Sequence, residues 1–375
     1  GTPVPGGSDN GIESVVNDTG DSQDTGANAD ANDTGDANPT AGNDGDKTGT
    51  SVGGNDVQPG ASGNEGESSE SGSAGTGGEQ GGADSSKNDS APAPAPAETF
   101  TAQIDGTKYD TLDAAINAAQ DGDTIEIGQD ITVEEGGLSF VEKGALTIKG
   151  VGESKPTITM NSLGMWLSKT NVTFENIKIV EEGVTDSPMG GGTANLVSNS
   201  NFTLKNASLE LNGPADQTGG SGMYLYQESN LYVTDGSTVI VSGYNNQSAS
   251  GIYADDSEYK NMPNRDIQVT NHSSITITDC GWHGMTIEPI DVLIDGNSQI
   301  AISECGNESY GGGLGTYSGS VTISNRSSLI TDDNRGSGWG VFANGMSIDS
   351  TSSLSACGNT GHGAVLAAKS NISSG

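Results

Sequence analysis

The amino-acid sequence predicts an all-β fold, a right-handed parallel β-helix of about nine coils. Three observations predict it: a short recurring phrase, an alternation of apolar and other residues inside each copy, and a glycine bend later in the copy. The phrase is a turn residue followed by two apolar residues with one residue between them. Its seven full copies start at Asn171, Asn201, Asn230, Asp266, Asp291, Ser320 and Gly345. Repeats of this length form solenoids, because each unit must stack on its neighbours to bury its apolar face.

Each copy predicts three strands separated by bends. Phe202 and Leu204 alternate with polar residues, which indicates a strand with one face inward. A second alternation follows, as at Val239 and Val241, and a third strand follows a bend glycine such as Gly222. Six copies share a serine seven residues after the start: Ser208, Ser237, Ser273, Ser298, Ser327 and Ser352. The starts lie 25 to 36 residues apart, which is not the hexapeptide period and favours the right-handed form.

A short amphipathic helix is predicted before the first strand. Tyr109 begins a run in which apolar side chains recur on one side of a helix. These residues are Leu112, Ala115, Ile116 and Ala119. The first strand is predicted immediately afterwards, from Asp121. A helix in this place is expected to cap the open end of the β-helix and to protect its strand edges.

The chain divides into two parts. Residues 1–97 contain no aromatic residue and carry 17 acidic residues against two lysines, which gives −15 of the chain's net charge of −36. Such a segment buries too little apolar surface to fold, so it is predicted to be a disordered acidic stalk or linker. Residues 98–375 are predicted to form the β-helix, with an incomplete last coil that begins at Asn371. We expect this chain to be a piece of a longer precursor, with any signal peptide or wall anchor outside it.

Two stretches near residue 115 resemble a known family. Thr111-Leu-Asp-Ala-Ala-Ile-Asn-Ala-Ala and Gly122-Asp-Thr-Ile-Glu-Ile are similar to the opening motif of pectin-lyase-like right-handed β-helix proteins. The resemblance covers about residues 100–375 and implies the fold, whereas that superfamily includes polysaccharide lyases, glycoside hydrolases and non-catalytic bacterial surface proteins. Joined to the acidic segment, the domain resembles Gram-positive cell-surface adhesins. This resemblance implies an extracellular protein, either secreted or attached to the cell surface.

The charge balance limits the partners. The chain has 50 acidic residues against 14 lysines and arginines, whereas nucleic acids and anionic membranes are bound by basic surfaces. No apolar run approaches the length of a membrane span, so no membrane insertion is predicted. A polysaccharide or host glycan is the predicted partner, and the chain is predicted to be a monomer.

The aromatic row on the third strands supplies the candidate glycan-binding residues. These are Tyr224, Tyr253, His283, Trp339, Phe342 and His362. Flat rings beside polar groups suit sugar rings through stacking and hydrogen bonds. In the alternative interpretation, the outward rings are packed beneath the variable loops 243–250 and 254–265.

A row of carboxylates is the candidate metal site. Asp279, Glu304 and Asp333 each lie 13 residues after their starts, so they should stack ~5 Å apart on three coils. Oxygen ligands of this kind suit Ca²⁺, the one cofactor that the sequence suggests. Pectate lyases of this fold use acids on adjacent coils in a similar way, and His283 and Arg335 lie close in coil position. The alternative interpretation is three solvated surface acids.

A match to polygalacturonases is weaker. Asp332-Asp333 and Gly361-His362-Gly363 resemble motifs of that family. However, His362 aligns with Trp339 of the preceding coil, whereas Asp332 aligns with Cys357 of the following coil. The acid and the histidine therefore fall on different sides of the β-helix, and no catalytic residue is predicted.

Cys280 and Cys305 both lie 14 residues after their starts and should stack on adjacent coils, either bonded or as free buried thiols. Taken together, the sequence favours a non-catalytic adhesin or carbohydrate-binding module. A Ca²⁺-dependent polysaccharide lyase, a glycoside hydrolase and a purely structural spacer stay open as alternatives.

Overall fold

The computed structural model describes residues 100–152, 154–216, 219–254, 265–309, 311–336, 338–366 and 371–372. The predicted stalk, residues 1–97, lies outside the described residues. The described residues form a parallel β-solenoid of about eight turns. The predicted fold class is therefore confirmed, while the right-handed sense of the coil stays a prediction.

The solenoid is built from short strands joined by tight corners. The first strands are β1 (Ala102–Ile104), β2 (Thr107–Tyr109), β3 (Thr124–Ile127), β4 (Ile131–Val133), β5 (Leu138–Gly150), β6 (Thr157–Met160), β7 (Met165–Glu175), β8 (Lys178–Glu182) and β9 (Asn195–Ser198). They are followed by β10 (Asn201–Lys205), β11 (Ser208–Asn212), β12 (Met223–Tyr226), β13 (Asn230–Thr234), β14 (Thr238–Ser242), β15 (Ile252–Ala254), β16 (Asp266–Val269), β17 (Ser274–Thr278) and β18 (His283–Ile287). The last are β19 (Asp291–Ile294), β20 (Gln299–Ser303), β21 (Gly312–Ile323), β22 (Ser328–Asp332), β23 (Trp339–Ile348), β24 (Ser353–Ser355), β25 (His362–Leu366) and β26 (Asn371–Ile372).

The solenoid repeats a unit, here called a rung, which contributes one strand to each of three parallel faces. The second face is the clearest, a sheet of nine strands in the order β4-β6-β8-β11-β14-β17-β20-β22-β24. These nine strands number the rungs from 1 to 9, and the eight steps between them make about eight turns. The first face begins with β3 and contains the recurring phrase, and the third face follows the bend glycines. The strands β5, β7, β21 and β23 continue from the third face of one rung into the first face of the next.

The interior is apolar because alternate residues of every face point inward. Phe202 and Leu204 are fully buried, as the alternation predicts, and Val239 and Val241 are buried on the second face. In-register parallel pairing stacks equivalent residues, so Phe202 lies beside Leu231 of the next rung. Each buried side chain of this size contributes about 1.5–3 kcal/mol.

The N-terminal helix α1 (Leu112–Ala118) is shorter than predicted. Thr111 caps the amino end of the helix, where its hydroxyl accepts a hydrogen bond from the Ala114 amide at 3.1 Å. Leu112, Ala115 and Ile116 are buried, so the predicted apolar side faces the core. The strand β1 pairs antiparallel with β3 and covers one edge of the first face. The role of the helix as an end cap stays a prediction.

The recurring serine forms a buried ladder at the first corner, between the first and second faces. The Ser273 amide donates to Ser298 Oγ at 3.1 Å, and the Ser298 amide donates to Ser327 Oγ at 3.1 Å. The pattern repeats with Ser237 and Ser352. Each hydroxyl thus accepts a hydrogen bond from a buried N–H of the preceding rung, which explains why the serine recurs at the same position in successive copies.

One of the six serines differs. Ser208 pairs with Thr238 in the sheet, one position beyond the ladder, and Ala207 occupies the ladder position in rung 4. The corner before Ser208 is one residue shorter than the corresponding corner before Thr238, so counting from the start of the phrase misplaces this serine. The Ala207 amide still donates to Ser237 Oγ at 3.1 Å.

The first residue of the phrase forms a second ladder. The Asn201 amide donates to Asn171 Oδ1 at 2.9 Å, and the Asp266 amide donates to Asn230 Oδ1 at 2.7 Å. The preference of the phrase for Asn or Asp at its start therefore comes from an acceptor that reaches the next rung.

Cys280 and Cys305 are free buried thiols on adjacent rungs, and their predicted stacking is confirmed. The Cys305 thiol donates to the Ser303 carbonyl at 3.3 Å. Cys357 is free and exposed. In the described part of the chain, no helix has the length and apolar character needed to cross a membrane.

Candidate functional site

The third face is distinguished by its lack of charge. Its strand segments contain no Asp, Glu, Lys or Arg: residues 138–141, 165–168, 195–198, 223–226, 252–254, 283–287, 312–316, 339–343 and 362–366. The first face carries an alternating row of Glu126, Lys149, Glu175 and Lys205 in contrast, with Lys149 Nζ 2.9 Å from Glu175 Oε1. The chain as a whole has 50 acidic residues, so the lack of charge is particular to these strands and does not reflect the overall composition.

Aromatic side chains concentrate on the same face. Tyr224, Tyr253 and Phe342 occupy one outward row, which the strand register aligns along the solenoid. Between Tyr253 and Phe342 the row contains Thr286 and Gly315, which have a small side chain or none. All six sequence-predicted glycan-binding residues lie on third-face strands, where five of them fall into two groups and His362 lies outside both.

The first group lines a groove of about 320 Å³ on rungs 2 to 4, here called the Trp166 groove. Its aromatic side chains are Trp166, Tyr224 and Tyr226, and the loop with Met189 forms one wall. Met189 is 62 % exposed, the most exposed large hydrophobic residue described. Further lining residues are Ser168, Gly190, Gly191, Thr193, Leu196 and Ser198. The groove is therefore apolar and aromatic, with hydroxyl groups among its rings, which is the usual composition of a small-ligand site.

Tyr253 extends the first group to rung 5. The Tyr224 and Tyr253 rings are 5.1 Å apart, and the Tyr224 and Tyr226 rings are 5.5 Å apart. Both contacts are tilted, so the rings support one another and still present part of their surface to solvent. The predicted alternative, burial beneath loops, is not tested for residues 255–264, which lie outside the described residues. The described loop 243–250 directs Tyr244 into the core.

The second group, here called the Trp339 cluster, consists of His283, Tyr317, Trp339 and Phe342. The Trp339 ring lies 4.9 Å from Phe342, 5.9 Å from Tyr317 and 6.0 Å from His283, with which it is stacked. Gly315 of rung 7 lies beside the cluster, where a Cβ would make a tight contact of 3.3 Å with Trp339 Nε1. Tyr317 is 38 % exposed and gives the cluster an accessible ring.

His283 is a structural member of this cluster. It is almost fully buried against Trp282 and Trp339, and burial lowers the pKa of its imidazole to about 4. Its Nδ1 has no hydrogen-bond partner in the described residues. A histidine with this pKa is neutral and weakly basic near pH 7, so it is poorly suited to act as the base of a lyase.

The polygalacturonase-like acid and histidine lie on different faces, as the sequence register predicts. His362 pairs with Trp339 on the third face and is exposed. Asp332 ends a second-face strand, where its Oδ1 accepts hydrogen bonds from the Cys357 amide at 2.7 Å and from Ser355 Oγ at 2.8 Å. The Asp332 carboxylate therefore has a structural role, since it binds groups of the adjacent rung.

The carboxylate row occupies the second corner, between the second and third faces. Asp279, Glu304 and Asp333 all have positive φ angles of 52° to 56°, which are uncommon for residues other than glycine and end the strands there. Arg335 Nη2 lies 2.8 Å from Glu304 Oε2, and Arg335 Nη1 lies 4.0 Å from Asp279 Oδ1. Arginine therefore neutralises part of this row. Among the described residues, no group of three or more His, Cys, Asp or Glu side chains is arranged to hold a metal ion.

A buried acid lies inside the solenoid at rung 3, close behind the wall of the Trp166 groove. Glu181 is 0 % exposed at a position that is Met160 in the preceding rung and Leu211 in the following one. Its Oε2 accepts a hydrogen bond from Asn195 Nδ2 at 3.0 Å, whereas its Oε1 is buried without a partner in the described residues. Burial raises the pKa of Glu181 to about 8, so the side chain is mostly protonated at neutral pH.

Sequence reasoning missed Trp166, Tyr226 and Tyr317. The signal for Trp166 was present, because Gly164-Met-Trp matches the bend of Gly222-Met-Tyr two rungs later. Tyr226 follows Tyr224 at the period of a strand and could have been assigned to the same outward surface. Tyr317 lies at the corner after the third face, where no period applies.

Comparison of the chain with models of protein families, with curated proteins and with solved structures finds no match. The parallel β-solenoid fold is established by the strand pairing, whereas the pectin-lyase-like and adhesin resemblances stay predictions.

Proposed function

We propose that the chain is a non-catalytic, carbohydrate-binding β-solenoid of an extracellular adhesin type, which holds a glycan against its third face. The observation that carries this proposal is the segregation of outward aromatic rings. In the described solenoid strands and the corner after them, the third face has Trp166, Tyr224, Tyr226, Tyr253, Tyr317, Trp339 and Phe342. The first face has only Tyr232.

The chemistry of this face fits sugars. The apolar faces of sugar rings stack on aromatic rings, while their hydroxyl groups bond to hydroxyl groups such as those of Ser168, Ser198 and the tyrosines. Support for a non-catalytic role comes from His283, which is buried and weakly basic, and from Arg335, which pairs with Glu304. The acidic stalk predicted for residues 1–97 fits presentation of this domain away from a cell surface.

The proposal is tested by truncating the rings of the outward row. The variant Tyr224→Ala/Tyr253→Ala/Phe342→Ala is compared with the wild type for retention on immobilised polysaccharides. Each lost stacking contact is worth about 1 kcal/mol, so three should weaken retention by about 100-fold. Thermal unfolding of both proteins verifies that the variant is folded.

Tyr232→Ala is the matched control, since Tyr232 is an outward, partly buried tyrosine on the first face. We expect it to retain glycans like the wild type. Equal retention by the triple variant would contradict the proposal. Mass spectrometry of the same polysaccharides after incubation tests the absence of catalysis, because unsaturated or hydrolysed products would identify an enzyme.

A further inference from the structure

We infer that the ligand is a neutral, extended polysaccharide that runs along the third face and contacts the Trp166 groove and the Trp339 cluster at the same time. This inference rests on the proposed function, and it specifies the class and the minimum length of the glycan.

The charge of the face selects a neutral chain. An acidic polysaccharide carries carboxylate or sulfate groups, which proteins bind through Arg or Lys. The third-face segments contain neither residue, and they belong to a chain with a net charge of −36. A polyanion on this surface would be repelled by the chain and would find no cation on the face to bind. A neutral glycan needs only the rings and hydroxyl groups that the face supplies.

The groove alone is too small for a long ligand. Its volume of about 320 Å³ lies at the lower end of the range for small-molecule sites, ~300–1,000 Å³. It therefore encloses a short part of a chain, and the rest of an extended ligand must leave it along the surface.

The second contact lies in line with the first. Tyr224 of rung 4 and Phe342 of rung 8 occupy the same outward row, four rungs apart. At the spacing of neighbouring strands, this separation is ~19 Å. Between them, Thr286 is small and largely buried, and the Trp339 and Tyr317 rings lie against Gly315, so a chain that leaves the groove along this row reaches the Trp339 cluster at rung 7.

Two aligned contacts make affinity depend on length. A glycan too short to span both groups binds each one separately and weakly. Once the chain reaches both, the second contact forms at high effective concentration, and affinity rises by ~10²-fold or more. The stoichiometry then changes from two short ligands to one long ligand per protein.

The first experiment compares neutral with acidic polymers. The wild type is applied to immobilised glucan, mannan, xylan, galactan and poly-N-acetylglucosamine, and to polygalacturonate, alginate and hyaluronate. We expect retention on at least one neutral polymer and on none of the acidic ones. Retention confined to acidic polymers would overturn the inference and leave the proposed function standing. No retention on any polymer would remove both.

The second experiment uses size-fractionated oligosaccharides of the retained polymer, from about two to about ten units, in titration calorimetry. We expect a ~10²-fold gain in affinity above a threshold length, with two short ligands or one long ligand bound. Phe342→Ala should abolish the gain and leave one short ligand bound at the groove. Trp166→Ala should also abolish the gain, and it should leave one short ligand bound at the Trp339 cluster. Tyr226→Ala replaces Trp166→Ala, and Tyr317→Ala replaces Phe342→Ala, if the first variant fails to fold. Tyr232→Ala is the control and should keep the gain.

Two outcomes would overturn the spanning mode while glycan binding itself persists. One is equal affinity for short and long chains with one site per protein. The other is a dimer of the free protein in sedimentation that Tyr317→Ala and Phe342→Ala both convert to a monomer, which would identify the Trp339 cluster as a protein interface.

Discussion

At the scale of single residues, Glu181 is the most unusual side chain in the solenoid. It replaces an apolar residue in an interior row and keeps one carboxyl oxygen without a partner in the described part of the chain. Burial of an ionised carboxylate is costly, so this group stays protonated up to a pH near 8. Glu181 accepts a hydrogen bond from Asn195, which directly precedes Leu196 of the Trp166 groove.

We predict that Glu181 makes the protein less stable as the pH rises. The pKa of Glu181 in the folded state is about 8, against an ordinary value of 4.5, so the folded chain holds more protons than the unfolded chain between these values. Its contribution is therefore fully present below pH 4.5 and is lost as the pH rises to about 8. The loss amounts to about 5 kcal/mol. Urea unfolding from pH 4.5 to pH 9 measures it.

Glu181→Gln removes this titration and keeps an acceptor for Asn195. The unfolding free energy of the wild type minus that of the variant should therefore fall as the pH rises. Glu210→Gln is the control, because Glu210 points outward on the second face and pairs with Lys178 at 2.8 Å. A difference between wild type and Glu181→Gln that is constant over this range would contradict the prediction.

At the scale of the element, the corners hold successive strands in register. The serine ladder of the first corner matches one buried hydroxyl to one buried amide at every step from rung 4 to rung 8, and a partly buried hydroxyl to a buried amide at the step to rung 9. Since parallel strands pair by backbone bonds that any register could form, these side-chain bonds specify which register is adopted.

We predict that Ser298→Ala lowers the free energy of unfolding by about 1–3 kcal/mol. Ser298 is buried, and its hydroxyl accepts a hydrogen bond from the Ser273 amide, which would be left without an acceptor in the interior. Chemical denaturation measures the change. Ser303→Ala, an outward serine of the same rung, should change stability by less than about 0.5 kcal/mol. Equal effects of the two substitutions would show that the ladder does not stabilise the fold.

The repeat made most of the fold predictable. The phrase supplied the first-face strands, and the bend glycines supplied the third-face strands, because apolar alternation has the same meaning in every copy. Ser208 was misplaced because the corner before it is one residue shorter than its counterpart in the next rung. Glu181 could not be predicted as buried, since a lone acid at a core position contradicts the pattern that identifies the core.

The candidate site was predictable in part. Outward rings such as Tyr224 and Tyr253 follow directly from strand alternation. The contact of Trp339 with His283 across two rungs could not be inferred, because it bridges the intervening rung, where the strand register places Gly312 between them. The pairing of Arg335 with Glu304 was also missed, since side-chain direction at a corner is not periodic.

At the scale of the whole molecule, charge is distributed unevenly over the faces. The chain carries 50 acidic residues, yet its third-face strands carry none. A large net charge keeps a protein soluble and discourages self-association. The same charge leaves the third face available to neutral ligands, because repulsion acts on other acidic molecules and not on uncharged ones.

We predict that binding of a neutral polysaccharide is almost independent of salt. Raising NaCl from about 0.05 to about 0.5 M screens charge interactions but leaves stacking intact, so affinity should change by less than about twofold. Retention of the wild type on the neutral polymer of the panel at both concentrations measures this. A tenfold change in either direction would show that charged groups outside the third face take part in binding.

The two side-chain ladders point in opposite directions along the chain. Serine hydroxyl groups of the first corner accept from the rung before them, whereas first-position side chains such as Asn230 accept from the rung after them. An interior rung thus forms these hydrogen bonds with both neighbouring rungs, whereas a terminal rung forms them with only one. Loss of a rung at either end exposes unsatisfied amides in the next, so the solenoid should come apart from its ends inward, one rung after another.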